Sequence, residues 1–160
     1  MVTPTIDIRR GDSRARTRTA WLDSRHSFSF GSHHDPENTH HGLLLVSNDD
    51  IVQPGTGFMT HPHQDMEIIT WVLEGELTFM IGDDVSVGGP GTCAFFPRNV
   101  QHAWKNSGSQ TGRVVFLYTP ASAGGYVEEL MHRAGAPMND DERRELRERY
   151  RWEIVGPNPL

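Results

Sequence analysis

Among 160 residues there is a single cysteine, Cys93. One thiol excludes an internal disulfide framework and agrees with a reducing, cytoplasmic setting. No apolar run approaches the roughly 20 residues that a membrane-spanning helix needs. Residues 1–18 carry arginine and aspartate around no apolar centre, so a secretory leader is not expected. Basic residues form no runs and the formal net charge is -6, which argues against a nucleic-acid surface. Internal repeats and low-complexity tracts are also missing. What is present, 36% hydrophobic and 22% charged residues, is the balance of one globular domain long enough to bury a core. The expected partner is a small-molecule substrate, with no nucleic acid and no membrane.

Short strand signals dominate the middle of the chain. Leu43 to Ser47 is a compact apolar run, Asn48-Asp49-Asp50 is expected to turn it, and Ile51 to Gln53 is extended. Glu67–Leu73, Glu76–Ile81, Val85–Val87, Thr92–Phe96, Val100–Lys105 and Arg113–Thr119 follow, separated by Glu74-Gly75, Gly82-Asp83-Asp84 and Gly88-Gly89-Pro90-Gly91. Many short strands between Gly/Pro turns predict an all-β antiparallel sandwich or barrel over residues 41–120. Residues 1–40 read as an arm and loop packing on it, with short extended pieces at Thr19–Asp23 and His26–Phe30. Residues 121–160 form a helical tail. Gly125–Arg133 can be a short helix, and Asn139–Tyr150 is a better one, capped by Asn139 with acids in its first turn and arginines at its end. Its charged sides predict a solvated surface helix.

One constellation carries chemistry. His61-Pro62-His63 places two imidazoles two residues apart, which puts both on one face of an extended chain. Glu67 follows at an even offset, and His102 arrives from a separate strand. If the extended chain continues, His61, His63, Glu67 and His102 converge on one divalent transition metal. Fe leads, with Ni, Mn, Cu, Co or Zn as alternatives. The alternative to a ligand pair is two surface histidines near a turn, since Thr60 and Gln64 are polar.

Spacing adds a resemblance. Gly55-x5-His61-x-His63-x3-Glu67-x7-Gly75 resembles the first cupin motif, with its last gap one residue longer. Gly91-x5-Pro97-x-Asn99-x2-His102-x3-Asn106 resembles the second, with Asn99 in place of a glycine. Asn tolerates the left-handed backbone that such a turn requires. The resemblance implies a cupin double-stranded β-helix, or jelly-roll, barrel with short C-terminal helices. The N-terminal half is similar to bacterial pirin-related proteins through Trp21-Leu22-Asp23-Ser24, Phe28-Ser29-Phe30, Asp35-Pro36, Asn48-Asp49-Asp50 and the run Gly57 to Ile68. Pirins are cupins with a metal-binding first domain; some have quercetin 2,3-dioxygenase activity, and the eukaryotic one is a nuclear cofactor. Pirins also carry a second cupin domain, for which 160 residues leave no room, and a carboxylate ligand where this chain has Trp104. That departure leaves Glu67, or water, as the fourth ligand. Cupins often dimerise, so the resemblance allows a homodimer, and the N-terminal arm could exchange.

Large side chains suited to a substrate pocket are Phe58, Met59, Trp71, Phe95, Trp104 and Tyr118, with Phe79 and Phe116 as further candidates; ordinary core packing is the alternative for each. Parity with Glu67 predicts that Ile69, Trp71 and Leu73 point inward, and parity with His102 predicts the same of Trp104. Asn106 is expected to tie the second-motif turn. Arg98 is expected to be exposed and Cys93 to be buried filler. His33, His34, His40 and His41 read as a solvated loop over the barrel mouth rather than a second metal site. The expected function is a metal-dependent dioxygenase acting on a small aromatic or enol-type substrate chelated at the metal, with Glu67 as ligand and catalytic base. The alternatives are a non-redox isomerase, cyclase or lyase that uses the metal as Lewis acid, and a pirin-like regulatory metal-binding protein without catalysis.

Overall fold

The structure, a computed structural model, describes residues 6–120, 123, 129, 139–150 and 155–160. Strands β1 (Ala15–Arg18), β2 (Leu22–His26), β3 (Val46–Val52), β4 (Gly57–His61), β5 (Glu67–Glu74), β6 (Leu77–Ile81), β7 (Asp84–Gly88), β8 (Cys93–Phe96), β9 (His102–Asn106) and β10 (Gly112–Thr119) precede a helix, α1 (Asp140–Tyr150). They form two antiparallel sheets, in the orders β1-β2-β3-β10-β5-β8 and β4-β9-β6-β7. The non-consecutive neighbours β3-β10-β5 and β4-β9-β6 are the long returns of a double-stranded β-helix, as the cupin resemblance implied. The two inner faces bury Val52, Ile68, Val72, Leu77, Phe79, Phe96, Trp104, Val114 and Phe116 as one core. Tyr118 packs against this core and against a smaller one made by Leu45, Val46, Met66 and Ala123.

Close approach between β4 and β9 depends on one glycine. A Cβ at Gly57 would stand far inside van der Waals contact with the Trp104 carbonyl oxygen. Only a hydrogen there lets β4 lie against β9 and sets His61 directly opposite His102 in the ladder.

Several local expectations differ from the structure. The N-terminal forty residues contain β1 and β2, which extend the six-stranded sheet by hydrogen bonding to β3 rather than lying on it as an arm. Asn48-Asp49-Asp50 is not a turn; it is the middle of β3. Turn-forming side chains stay extended here because each finds a cross-strand partner. His26 Nδ1–H donates to Asn48 Oδ1 at 3.0 Å, Ser24 bonds Asp50, and Arg113 clamps Asp49 through two bonds of 2.8 Å.

Along β5, Ile68, Thr70 and Val72 point inward, while Glu67, Trp71 and Leu73 are exposed and Ile69 is half-buried. The inward parity of Ile69, Trp71 and Leu73 fails because the chain bends at Gln64-Asp65, which breaks the extended run that parity presupposes. Cys93 lies on the same outer face and is exposed rather than buried.

The tail follows its capping signal. Asn139 Oδ1 accepts from the Glu142 amide at 2.9 Å, and Glu142 Oε2 accepts from the Asn139 amide at 2.9 Å. This reciprocal pair satisfies two donors at the start of α1, above an acidic first turn. Among the described side chains of α1, Leu146 is buried, Glu142 is half-buried and the others are exposed. The short helix expected over Gly125–Arg133 lies outside the described residues, apart from Glu129.

Candidate metal centre

Two strands and a turn bring three histidines together. His61 ends β4, His102 begins β9 as its cross-strand partner, and His63 follows two residues beyond His61. The His63 segment is held by the second-motif turn, where the Asn99 amide donates to the His63 carbonyl at 2.7 Å. Asn99 takes a left-handed backbone, φ 61°, so asparagine fills the place of the motif glycine. Asn106, at the other end of β9, ties not the Asn99 turn but the end of β3 and the β9–β10 loop: its Nδ2 donates to the carbonyls of Val52 and Gln110, and its Oδ1 accepts from the Gly108 amide.

The three rings lie 4.5 to 5.3 Å apart, centre to centre, and one nitrogen of each falls within 4.8 Å of the other two. Backbone carbonyls set two of the tautomers. His61 Nδ1–H donates to Met59 O at 2.7 Å and His102 Nδ1–H donates to Val100 O at 2.9 Å. Each Nε2 is thereby left as a lone pair. His102 Nε2 is buried with no hydrogen-bond partner, a cost that a native fold bears where a ligand is to be met. Burial and mutual proximity also keep the rings neutral. Desolvation pushes His63 down to about 2, helped by His61 and His102, and His102 down to about 4, helped by His61. Desolvation lowers His61 as well, against its backbone bond. Three neutral, convergent nitrogens fit a divalent first-row transition metal, which would offset the desolvation that burying them entails.

Glu67 is not brought into this cluster. It begins β5 on the outer face, is half exposed, and pairs with Arg98 at 3.3 Å. The bend at Gln64-Asp65 that reverses the β5 parity also turns its carboxylate away. Of the pocket candidates, Phe58 and Tyr118 lie by the histidines, and Trp104 packs against Phe58. Phe58 is 6.2 Å from the His61 ring and 5.5 Å from Trp104, Trp104 stacks 4.9 Å from Phe116 across the barrel, and Tyr118 is 6.3 Å from His63. Met59 is exposed and contributes its carbonyl, while Trp71 and Phe95 sit on the outer sheet face. The inward aromatic of β8 is Phe96, 5.0 Å from His102, one position after the residue that sequence reasoning chose. Among the described residues the four loop histidines form no metal-type group; Phe30–His33 and His41–Leu44 bridges shape their loop instead.

One acidic group inside the same barrel, Asp50, escaped the sequence reading. Asp50 projects inward from β3 with Oδ1 unpartnered, and burial raises it to about 7. Burial, with the Asp50 carboxylate nearby, also raises the Tyr118 phenol. The signal for Asp50 was strict alternation across Val46, Asn48, Asp50 and Val52, hidden by the turn propensity of the polar members.

A family model described as Pirin matches residues 9–89. The chain belongs to the pirin family. Its match to a Mycobacterium tuberculosis protein named as a candidate quercetin 2,3-dioxygenase is 66% identical over 76 residues, covering 48% of this chain and 31% of that one. A pirin-like protein of Caulobacter vibrioides is 37% identical over 130 residues, 75% of this chain and 53% of the relative. The chain therefore spans about half or less of the length of these relatives. Among solved structures, the Escherichia coli bacterial pirin YhhW in complex with nickel(II) superposes with a TM-score of 0.66 at 32% identity, over 70% of this chain and 50% of that one. An RmlC-like cupin from Shewanella frigidimarina shares the fold at 15% identity and TM-score 0.56, over 73% and 93% of the two chains. The pirin match ends in the β7–β8 turn, before the segment that carries His102 and Trp104.

Proposed function

We propose that this pirin-family chain is a metal-dependent dioxygenase in which His61, His63 and His102 hold one divalent transition metal and a small aromatic or enol-type substrate binds beside Phe58, Trp104 and Tyr118. The observation that carries the reading is the unpartnered, buried Nε2 of His102 aimed into a cluster of neutral imidazoles. The nickel(II) complex of the E. coli relative supports metal binding by this fold, and relatives named for quercetin 2,3-dioxygenase support the substrate class. Once bound, the metal would supply coordination sites for a chelating substrate and for oxygen activation. The chain itself contributes lone pairs fixed by Met59 and Val100, and an aromatic wall that excludes water from a flat ligand. With Trp104 in place of a carboxylate, the three-histidine set is uncharged, so the full charge of the metal is left to be balanced by an anionic substrate oxygen.

That same neutrality favours a second reading. A cation with no carboxylate ligand is a stronger Lewis acid, which suits non-redox isomerisation, cyclisation or elimination. Oxygen uptake by the Fe- and Ni-loaded chain with flavonols and enediols separates the two. Uptake at stoichiometry with substrate loss supports oxygenation. Anaerobic turnover in the Zn form replaces it with the Lewis-acid reading, and no metal bound under any loading condition removes both. Glu67→Gln should leave the metal stoichiometry at one per chain, because its carboxylate lies outside the cluster.

A further inference from the structure

His61 meets His102 only because β4 carries one residue more than its partner strand. From Phe58, paired with Trp104, β4 advances three residues to His61 while β9 advances two to His102. Met59 and Thr60 therefore stand together against Ala103, as a β-bulge. Continued without the extra residue, the same register would set Thr60 opposite His102. His61 would then oppose Gln101 and turn to the other face, because side chains alternate along a strand. Met59, the other bulge residue, also supplies the carbonyl that fixes the His61 tautomer.

Residues 155–160 hold this bulge from the open side of β4, which is an edge strand. Thr60 is buried and forms an antiparallel bridge with Gly156. Its carbonyl accepts from the Val155 amide at 3.0 Å, and its hydroxyl donates to the Pro157 carbonyl at 3.1 Å. Asn158 acts on both strands. Its Nδ2 donates to the Phe58 and Trp104 carbonyls, each at 3.1 Å, which belong to the last regular pair before the bulge. Its Oδ1 accepts from the Leu160 amide at 2.9 Å, and Lys105 Nζ donates to the Leu160 carbonyl at 2.8 Å. The amide is thus oriented by its own segment before it spans the two strands. Expelling the extra residue would need one end of the ladder to slip. Slip beyond Thr60 forfeits the Thr60 bonds to the segment, and slip before Met59 separates the carbonyl pair that Asn158 spans.

We propose that Asn158 is a positioning residue of the metal centre: by spanning Phe58 and Trp104 it locks the β4 bulge that turns His61 inward onto His102. It acts on the cluster through the backbone of β4, so its loss misaims His61 without removing a donor atom. The metal-binding arm of the test rests on the three-histidine reading proposed above, whereas the geometry of the rings can be read without a metal.

NMR of the metal-free 160-residue chain and its titration with Co(II) test this separately. The parent should show nuclear Overhauser contacts between the His61 and His102 rings, whose centres lie 4.5 Å apart, and Asn158→Ala should lose them. The same variant should raise the Co(II) dissociation constant about tenfold or more and shift the visible d–d bands, while it still melts in one cooperative transition. Should Asn158→Ala fail to fold, Thr60→Val, which removes only the hydroxyl bonded to Pro157, must weaken the ring contact and Co(II) binding, and a Thr60→Val chain like the parent then overturns the proposal. A folded Asn158→Ala chain that keeps the parent's ring contact overturns it, and so does one that binds Co(II) with the parent's affinity and spectrum. A parent that takes up no Co(II) removes the metal reading instead, and the ring contact alone then decides the role of Asn158.

Discussion

Replacing Asp50 with asparagine isolates the electrostatic cost of a carboxyl inside the barrel. Asp50 is 5% exposed, has an oxygen without a partner, and is displaced by burial from 3.8 to about 7. Because the folded state holds the proton more tightly than the unfolded state, this group stabilises the fold fully below about pH 4. That contribution is lost as pH rises and is gone above about pH 7. At about 1.4 kcal/mol for each tenfold change in proton affinity, the whole displacement corresponds to about 4 kcal/mol, of which about 3 kcal/mol is lost between pH 5 and pH 8. Asparagine resembles the protonated acid in shape and keeps an acceptor for Ser24, so Asp50→Asn should match the parent below about pH 4, exceed it by about 1.5 kcal/mol at pH 5 and exceed it by about 4 kcal/mol at pH 8. Urea unfolding midpoints of both proteins at the two pH values give the comparison. The buried histidines, whose proton affinities are lowered, act in the opposite direction over this range, and they cancel in the difference between the two proteins. The Asp49–Arg113 clamp does not interfere either, since a lowered carboxyl loses its contribution only as pH falls below about 4. A stability difference between parent and variant that stays constant from pH 5 to pH 8 refutes the reasoning, because Asp50 would then be ionised throughout.

Three further outcomes are expected. His102→Ala should lower metal affinity by about 100-fold, read by titration calorimetry and metal analysis, since it removes one of three donors and the one whose Nε2 has no other partner. Gly57→Ala should cost about 2 kcal/mol or more by thermal unfolding, because the added methyl meets the Trp104 backbone rather than a movable side chain. Asn139→Ala should cost about 1 kcal/mol in the helicity and melting of α1, with Asn139→Asp retaining most of it.

The sequence by itself determined the architecture and most of the cage. Strand length, Gly/Pro punctuation and motif spacing all report local chemistry, so the short strands, the left-handed Asn99, the cap at Asn139 and the roles of His61, His63 and His102 as convergent side chains could be read from residue order. Parity across an irregular segment could not. The bend at Gln64-Asp65 decides which way β5 faces, and it alone moved Glu67, Ile69, Trp71 and Leu73 from the expected interior to the outside. One residue of slip on β8 likewise exchanged Phe95 for Phe96 at the histidines. Asn48-Asp49-Asp50 looked like a turn because the partners that keep it extended, Ser24, His26 and Arg113, are distant in the chain and adjacent only in the sheet. Local propensity is a property of neighbours in sequence, whereas facing and burial are settled by which strands meet, and that was a matter for the tertiary structure alone.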